Sequence, residues 1–485
     1  MNEAVFGIVL GGSKHDVVVS PSLTKAILAC RGTSSTALIN YALEKVGGDK
    51  GAIRNLSATD HHTIHHNIPN LLMREPFLTE ASKVAKVITE RETPNLVTFC
   101  RSVVDQAPWE RRSEAEVIDG QEEPMAEVNL FALVRNFVGH ISTSVSMGQA
   151  FLEAFPNLLD DMWDFDNRFP ALSLGAPRWL PFPGLSAAYA ARDRILDALA
   201  AYHQAFVSWD EGNDPGVKFR DLDDVSEPMK QRIRKFKELG LSPRSSAPGH
   251  LSLFWALNAN SPNVVFWHIL RIYSDPALLE EIRKEIAPFA KVHRPSREET
   301  GLPFQEPPKV SLDPDELIRS CPLLKASFYE TMRLDSAGLS FREVTSDLTV
   351  TESPEDAAAA SLAEPRTYRI EKGGNIIMAH GVVQRDPQLF SNPEQFDPLR
   401  FVVTDQDTGA PKADMHTIYP FGGGVSGCKG RALAERTILL FSAAIISTWD
   451  IEPASGKDFT IPEHRPSSGA YLPKNDIRVR LRMRV

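Results

Sequence analysis

The sequence predicts a mainly α-helical fold with small β-sheets, and three observations predict it. Apolar residues recur at helical intervals of three and four along most of the 485 residues. The stretch 248–274 is apolar on nearly every side, the pattern of a helix buried at the centre of a large protein. The segments that alternate as strands are few and short, at 340–350, 366–370, 375–379 and 476–484.

In chain order, 4–10 and 16–19 read as the arms of a hairpin that begins almost at the first residue, as if a leader had preceded it. Pro21 opens a helix, where its missing N–H costs nothing. Helical spacing returns over 56–100, with His61, His62, His65 and His66 near its start, and again over 127–168. Between them, 111–125 is an acidic, solvated loop. Four prolines between Phe169 and Pro183 forbid a continuous helix, so 169–183 is an apolar connector whose Trp and Phe suit an interface. Helices are expected at 184–209, 227–240, 248–274, 275–288, 313–334 and 432–449. The last strand alternates as an edge or two-faced strand does, and the loops at 291–312, 351–365 and 404–416 read as insertions. With no repeat and no convincing boundary, residues 1–485 are read as one domain.

The net charge of −10 argues against a nucleic-acid protein, which draws its affinity from clustered Lys and Arg. Cys30, Cys100, Cys321 and Cys428 are scattered with no C-x-x-C pair, which argues against a disulfide framework or a zinc cluster. No run approaches the roughly 20 apolar residues of a membrane span, and no secretory signal is visible.

The strongest local signal is Phe421-Gly422-Gly423-Gly424-Val425-Ser426-Gly427-Cys428-Lys429-Gly430-Arg431, followed at once by a helix. Glycines let backbone approach a large flat ligand and take positive φ. A cysteine just before a helix N-terminus feels the positive end of the dipole, which favours thiolate. Farther upstream, Glu330 and Arg333 in E-T-M-R share one helix face, three residues apart. Phe396-Asp397-Pro398-Leu399-Arg400-Phe401 brings Arg400 as a third charge for that pair.

In chain order, 330–333, 396–401 and 421–431, these three strings resemble the E-x-x-R helix, the later P-x-R-F segment and the cysteine loop of the cytochromes P450. The resemblance implies that haem b lies between the long central helix and the cysteine loop, with Cys428 as the iron's axial ligand. Phe421, Gly422, Gly424, Ser426 and Gly430 would shape the cofactor loop, and Arg342 would pair with a haem propionate. Glu330, Arg333 and Arg400 would lock the core without doing chemistry. Ser426 departs from the family, which places a basic residue there for a propionate. The family's early W-x-x-x-R helix is not recognisable, and His65 and His66, read as exposed helix residues, are the candidate substitutes.

The central helix departs too. Ala259-Asn260 stands where most members have an acid–alcohol pair, as in the branch of cholesterol 7α-hydroxylase and prostacyclin synthase. Pro262 denies the Asn258 carbonyl its helical partner and opens a turn in which Asn260 can hold a relay water, though it is no acid itself. Leu257, Ala337, Gly338, Leu339, Ser468, Gly469, Ala470 and Tyr471 are the expected pocket residues, with room for a sterol- or terpenoid-like substrate. The activity so implied is insertion of one oxygen atom from O2, with NADPH electrons arriving through a reductase that docks near Lys429, Arg431 and Arg436. Two alternatives stay open: an isomerase or dehydratase that needs no reductase, and a haem protein that only binds a ligand. The family also implies the cytosolic face of the endoplasmic reticulum, an N-terminal anchor missing from this chain, and membrane contact through 169–183.

Overall fold

The computed structural model describes residues 3–10, 12–303, 306–415 and 418–484; parts of the expected loops, at 304–305 and 416, lie outside them. The N-terminal hairpin pairs Val5–Leu10 with Ser13–Val18. It joins a sheet of five strands in which Asn375–Ala379 runs parallel to Ser13–Val18 and antiparallel to Leu339–Val344, with Thr33–Ser34 at the far edge. Along Leu339–Val344 the inward positions are Ser340, Arg342 and Val344, so strand alternation itself carries an arginine into the interior. The expected strand 340–350 is thus two, the second being Leu348–Thr351.

The C-terminal strand Arg478–Met483 is not an edge. It lies between Trp449–Pro453 and Met125–Asn129 in a second sheet. Val479 and Leu481 are buried inward, while Arg478 and Arg480 face out to Glu127.

The main core forms where the helices Leu130–Met147, Ser261–Tyr273, Pro322–Leu334 and Arg431–Thr448 meet, around Phe137, Trp267, Phe328 and Phe441. A second core collects where the helix Leu185–Asp210 packs on Leu158–Asp166 and Pro243–Asn258. Several long expectations break into shorter pieces. The 313–334 helix divides into Pro314–Arg319 and Pro322–Leu334, each opened by a proline. The 56–100 stretch is a helix at Ala58–His62, π-helical and 3-10 turns to Met73, and a helix Phe77–Glu92.

The central helix is also two. Pro243–Asn258 is capped by the Ser242 side chain and carries Pro248 within it, and Ser261–Tyr273 follows after a break at Ala259-Asn260. Pro262 does not kink one helix but opens the second, where a missing N–H is tolerated. Two side chains stabilise the break. Asn258 Nδ2 donates to the Phe254 carbonyl and to Thr143 Oγ1, at 3.0 and 3.1 Å. Asn263 Nδ2 donates to the Ala259 carbonyl at 2.9 Å.

Candidate haem site

The cysteine loop is closed by the Cys428 N–H, which donates to the Phe421 carbonyl at 3.0 Å, and by Gly427 N–H to the Gly424 carbonyl at 3.1 Å. Gly422 and Gly424 have φ of +61° and +63°, a region that L side chains rarely adopt. The helix Arg431–Thr448 starts directly after the loop, and Met73 Sδ accepts from the Ala432 N–H at its first turn. The Arg431 guanidinium lies 5.6 Å from the centre of the Phe421 ring, so the loop's two ends are pinned together.

Above the loop is a cavity of about 500 Å³, within the range of small-molecule and cofactor sites. Its wall includes Cys428, Phe421, Gly422, Ser426, Gly430 and Arg342 from the expected cofactor set. Leu257, Asn260, Gly338, Leu339, Ser468, Gly469 and Ala470 from the expected pocket and central helix also line it. Gly424 shapes the loop from behind the wall, packed against the Leu28 backbone. Three expectations are corrected. Ala259 is fully buried and turned away from the cavity. Ala337 and Tyr471 lie behind the wall. The Ala337 N–H donates to the Gly469 carbonyl, and Tyr471 stacks on His464 at 4.5 Å.

Cys428 lines this cavity and is exposed, while the protein packed around it still desolvates the sulfur. Burial pushes the thiol above its ordinary value, and it outweighs the Gly430 and Arg431 backbone N–H groups and the charges of Lys429 and Arg431 that act the other way. The helix N-terminus alone therefore does not make the thiolate; a bound metal ion would, since a coordinating thiol is deprotonated outright.

Arg342 is the clearest sign of an absent anion. It is buried, donates to the Phe341 and Gly423 carbonyls at 2.8 and 3.3 Å, and pairs with no carboxylate among the described residues. Burial lowers its guanidinium pKa, the mark of a desolvated charge without compensation. His65 and His66 correct a further expectation. They are not exposed bystanders but lie in the π-helical turn Thr63–Asn67 and line the cavity. His65 Nε2 and His66 Nδ1 are sealed from solvent and have no hydrogen-bond partner among the described residues. Burial, then neighbouring charges, lowers them to about 2 and about 4. Ser426 Oγ meets Ser35 Oγ at 3.0 Å, a neutral pair where the family has a cation. A flat group with one soft metal-binding face and acidic edges fits this donor set.

Behind the site, Arg333 grips Glu330 in a two-pronged ion pair at 2.7 and 2.8 Å, both side chains fully buried. Its remaining N–H groups reach the carbonyls of Gln384, Pro393 and Gln395. Arg400 Nε stands 3.4 Å from Glu330 Oε1, and the Asp397 N–H donates to the same oxygen. The structure thus brings all three predicted charges together. Of the expected docking cations, Arg436 is held by Asp315. Lys429 lines the cavity.

A family model described as Cytochrome P450 matches residues 2–481. The chain belongs to the cytochrome P450 family. Among curated proteins, this P450 is 26% identical over 367 residues to the cytochrome P450 monooxygenase poxD of Penicillium oxalicum, covering 75% of this chain and 66% of that protein. It is 26% identical to the prostacyclin synthase of Rattus norvegicus, over 54% of this chain and 50% of that one. A 25-hydroxycholesterol 7-alpha-hydroxylase of the same organism is 26% identical, over 67% and 70%. The matched region thus spans about half to two-thirds of the first curated relatives' length. The fold matches the retinoic acid-bound cyanobacterial CYP120A1 with a TM-score of 0.62 at 17% identity, covering 99% of this chain and 92% of that one.

Proposed function

We propose that this P450 is a haem-thiolate monooxygenase that inserts one oxygen atom from O2 into a bulky apolar natural product of sterol or terpenoid size, with NADPH electrons delivered by a reductase. The observation that carries the reading is that Cys428 and the buried Arg342, which has no carboxylate partner among the described residues, face one cavity. Haem b, when bound there, supplies activation of O2 and transfer of one of its oxygen atoms. Cys428 holds the iron, and the close-packed glycine loop keeps its backbone from shifting. Arg342 and the Ser35–Ser426 pair take the propionates, with His65 and His66 beside them on the wall. Glu330, Arg333 and Arg400 hold the loop's support in place. Leu257, Leu339 and Ala470 exclude water and leave room for the substrate.

Residues 1–485 act as one catalytic domain, a reading supported by the C-terminal strand pairing with Met125–Asn129. Among the described residues no helix is long and apolar enough to cross a membrane. Contact with a membrane surface through 169–183 is supported by Leu174, Trp179, Leu180 and Phe182, with Trp179 80% exposed.

One observation favours a second reading, an isomerase that rearranges an oxygenated substrate without a reductase. No acid–alcohol pair stands at the helix break, and the Asn260 Oδ1 is occupied by the Ala470 N–H. Two measurements test both. Cys428→Ser should abolish the strongly red-shifted band of the reduced, carbon monoxide-bound protein, and a retained band removes Cys428 as ligand. Wild-type turnover should need NADPH and reductase, and turnover without them makes the enzyme an isomerase.

A further inference from the structure

Asn260 sits at the break of the central helix, on the cavity wall. Its amide could in principle be turned either way, but its neighbour settles the orientation. The Ala470 N–H lies 2.9 Å away and can only donate, so the atom facing it is the carboxamide oxygen. The same oxygen leaves Gly469 no space for a side chain, since a Cβ there would stand 2.5 Å from Asn260 Oδ1. The loop carrying these residues is itself fixed. The Gly469 carbonyl accepts from Ala337, the Tyr471 N–H donates to the Asp335 carbonyl, and Trp267 Nε1 donates to the Tyr471 carbonyl. Asn260 Nδ2 is therefore held in one direction, and it makes no hydrogen bond among the described residues. Beside it, Ser468 lines the wall, but its Oγ is sealed from the cavity and has no hydrogen-bond partner among the described residues. The wall near the break also carries the apolar Leu257 and Val264 and the hydroxyl-bearing Ser261.

We propose that Asn260 determines substrate specificity by presenting a fixed N–H donor to the cavity, so that the preferred substrate is an apolar skeleton bearing a carbonyl, ether or hydroxyl oxygen close to the site of attack. This rests on the haem-thiolate reading and names the substrate class within it. The oxygen of such a ligand accepts from Asn260 Nδ2. A hydrocarbon of the same shape leaves that donor desolvated and unpaired, which is the more costly outcome.

The test uses the ferric holoprotein and matched ligands: decalin with 2-decalone, and androstane with androstan-3-one. Binding is read as the haem spectral shift, without turnover. The wild type should bind each ketone about tenfold more tightly than its hydrocarbon. Asn260→Asp keeps an oxygen for the Ala470 N–H but replaces the donor with an acceptor. At pH 8 it should lose the ketone preference. Asn260→Leu should lose the preference as well. No preference in the wild type, or a preference that survives in both variants, overturns the proposal. The carbon monoxide band recorded on the same samples separates this from failure of the haem reading: a normal band without ketone preference removes only the role of Asn260.

Discussion

Gly424 is the residue on which the cysteine loop turns, although it never touches the cavity. Its φ is +63°, and a Cβ would stand 1.9 Å from the Leu28 carbonyl oxygen, which is backbone and has nowhere to go. Gly430 offers the contrast, with φ of −95° and a nearest neighbour, Cys428 Sγ, at 3.9 Å from an added Cβ. Positive φ costs a non-glycine residue about 1–3 kcal/mol, and overpacking adds roughly 1–3 kcal/mol. Gly424→Ala should therefore melt several degrees lower and lose haem faster than the wild type. Gly430→Ala meets neither penalty and should be neutral or slightly stabilised, by up to about 1 kcal/mol. Haem transfer to apomyoglobin, followed by absorbance, measures the loss. Equal rates for the two variants would show that the loop gives way at Leu28. The glycines were legible in the sequence, but their division of labour was not. That Gly422 lines the cavity while Gly424 abuts Leu28 depends on a helix nearly 400 residues earlier in the chain.

At the scale of elements, the helix Pro322–Leu334 is tied to the irregular segment around 384–400 by one guanidinium. Arg333 satisfies both oxygens of Glu330 and three backbone carbonyls while fully buried. The spacing of Glu330 and Arg333 made the pair legible, because residues three apart share a helix face. The carbonyl partners were not legible, since any residue type supplies the same oxygen. The same limit explains the central helix. Pro262 signalled a disturbance, but the side chains of Asn258 and Asn263 decide that the chain stops and restarts at Ala259-Asn260. Ordinary helical spacing reads His65 and His66 as exposed, whereas the π-helical turn that holds them lines the cavity. For Arg333→Ala the expectation is large. Removing one partner strands the Glu330 charge and the carbonyls together, at roughly 3–5 kcal/mol. Haem content per polypeptide should fall sharply, and normal content with an unchanged melting temperature would contradict the role given to the pair.

For the whole molecule, acid sensitivity follows from histidines that the fold keeps neutral. His268 lies between Ser442 and Ser327, with ring nitrogens 2.9 and 2.8 Å from their hydroxyls, and burial lowers it to about 3. His380 meets Ser340 at 2.8 Å, and burial, then Arg342, lowers it to about 4. His203 meets both His250 and Ser246 at 2.9 Å, and burial lowers it to about 4. These groups join three different parts of the core, so their protonation opposes the fold as a whole. In the unfolded chain each titrates near 6.5. Between that value and the folded one, the unfolded state binds more protons, so stability is full above about pH 7 and declines as the pH falls. At pH 5 each such histidine removes about 2 kcal/mol. Several together approach the roughly 5–15 kcal/mol that holds a domain folded. The decline should begin before the ordinary carboxylate range is reached, which separates it from loss of ion pairs. Melting temperatures of the holoprotein between pH 8 and pH 5 should stay level and then drop steeply below about pH 6.5. In His268→Gln the drop should be shallower by the contribution of one proton, even though the variant is less stable at pH 8 through altered packing. A wild-type profile level down to pH 5 would mean that these rings are neither buried nor neutral as described. An unchanged slope in His268→Gln would exclude that residue alone and leave the remaining histidines to account for the loss.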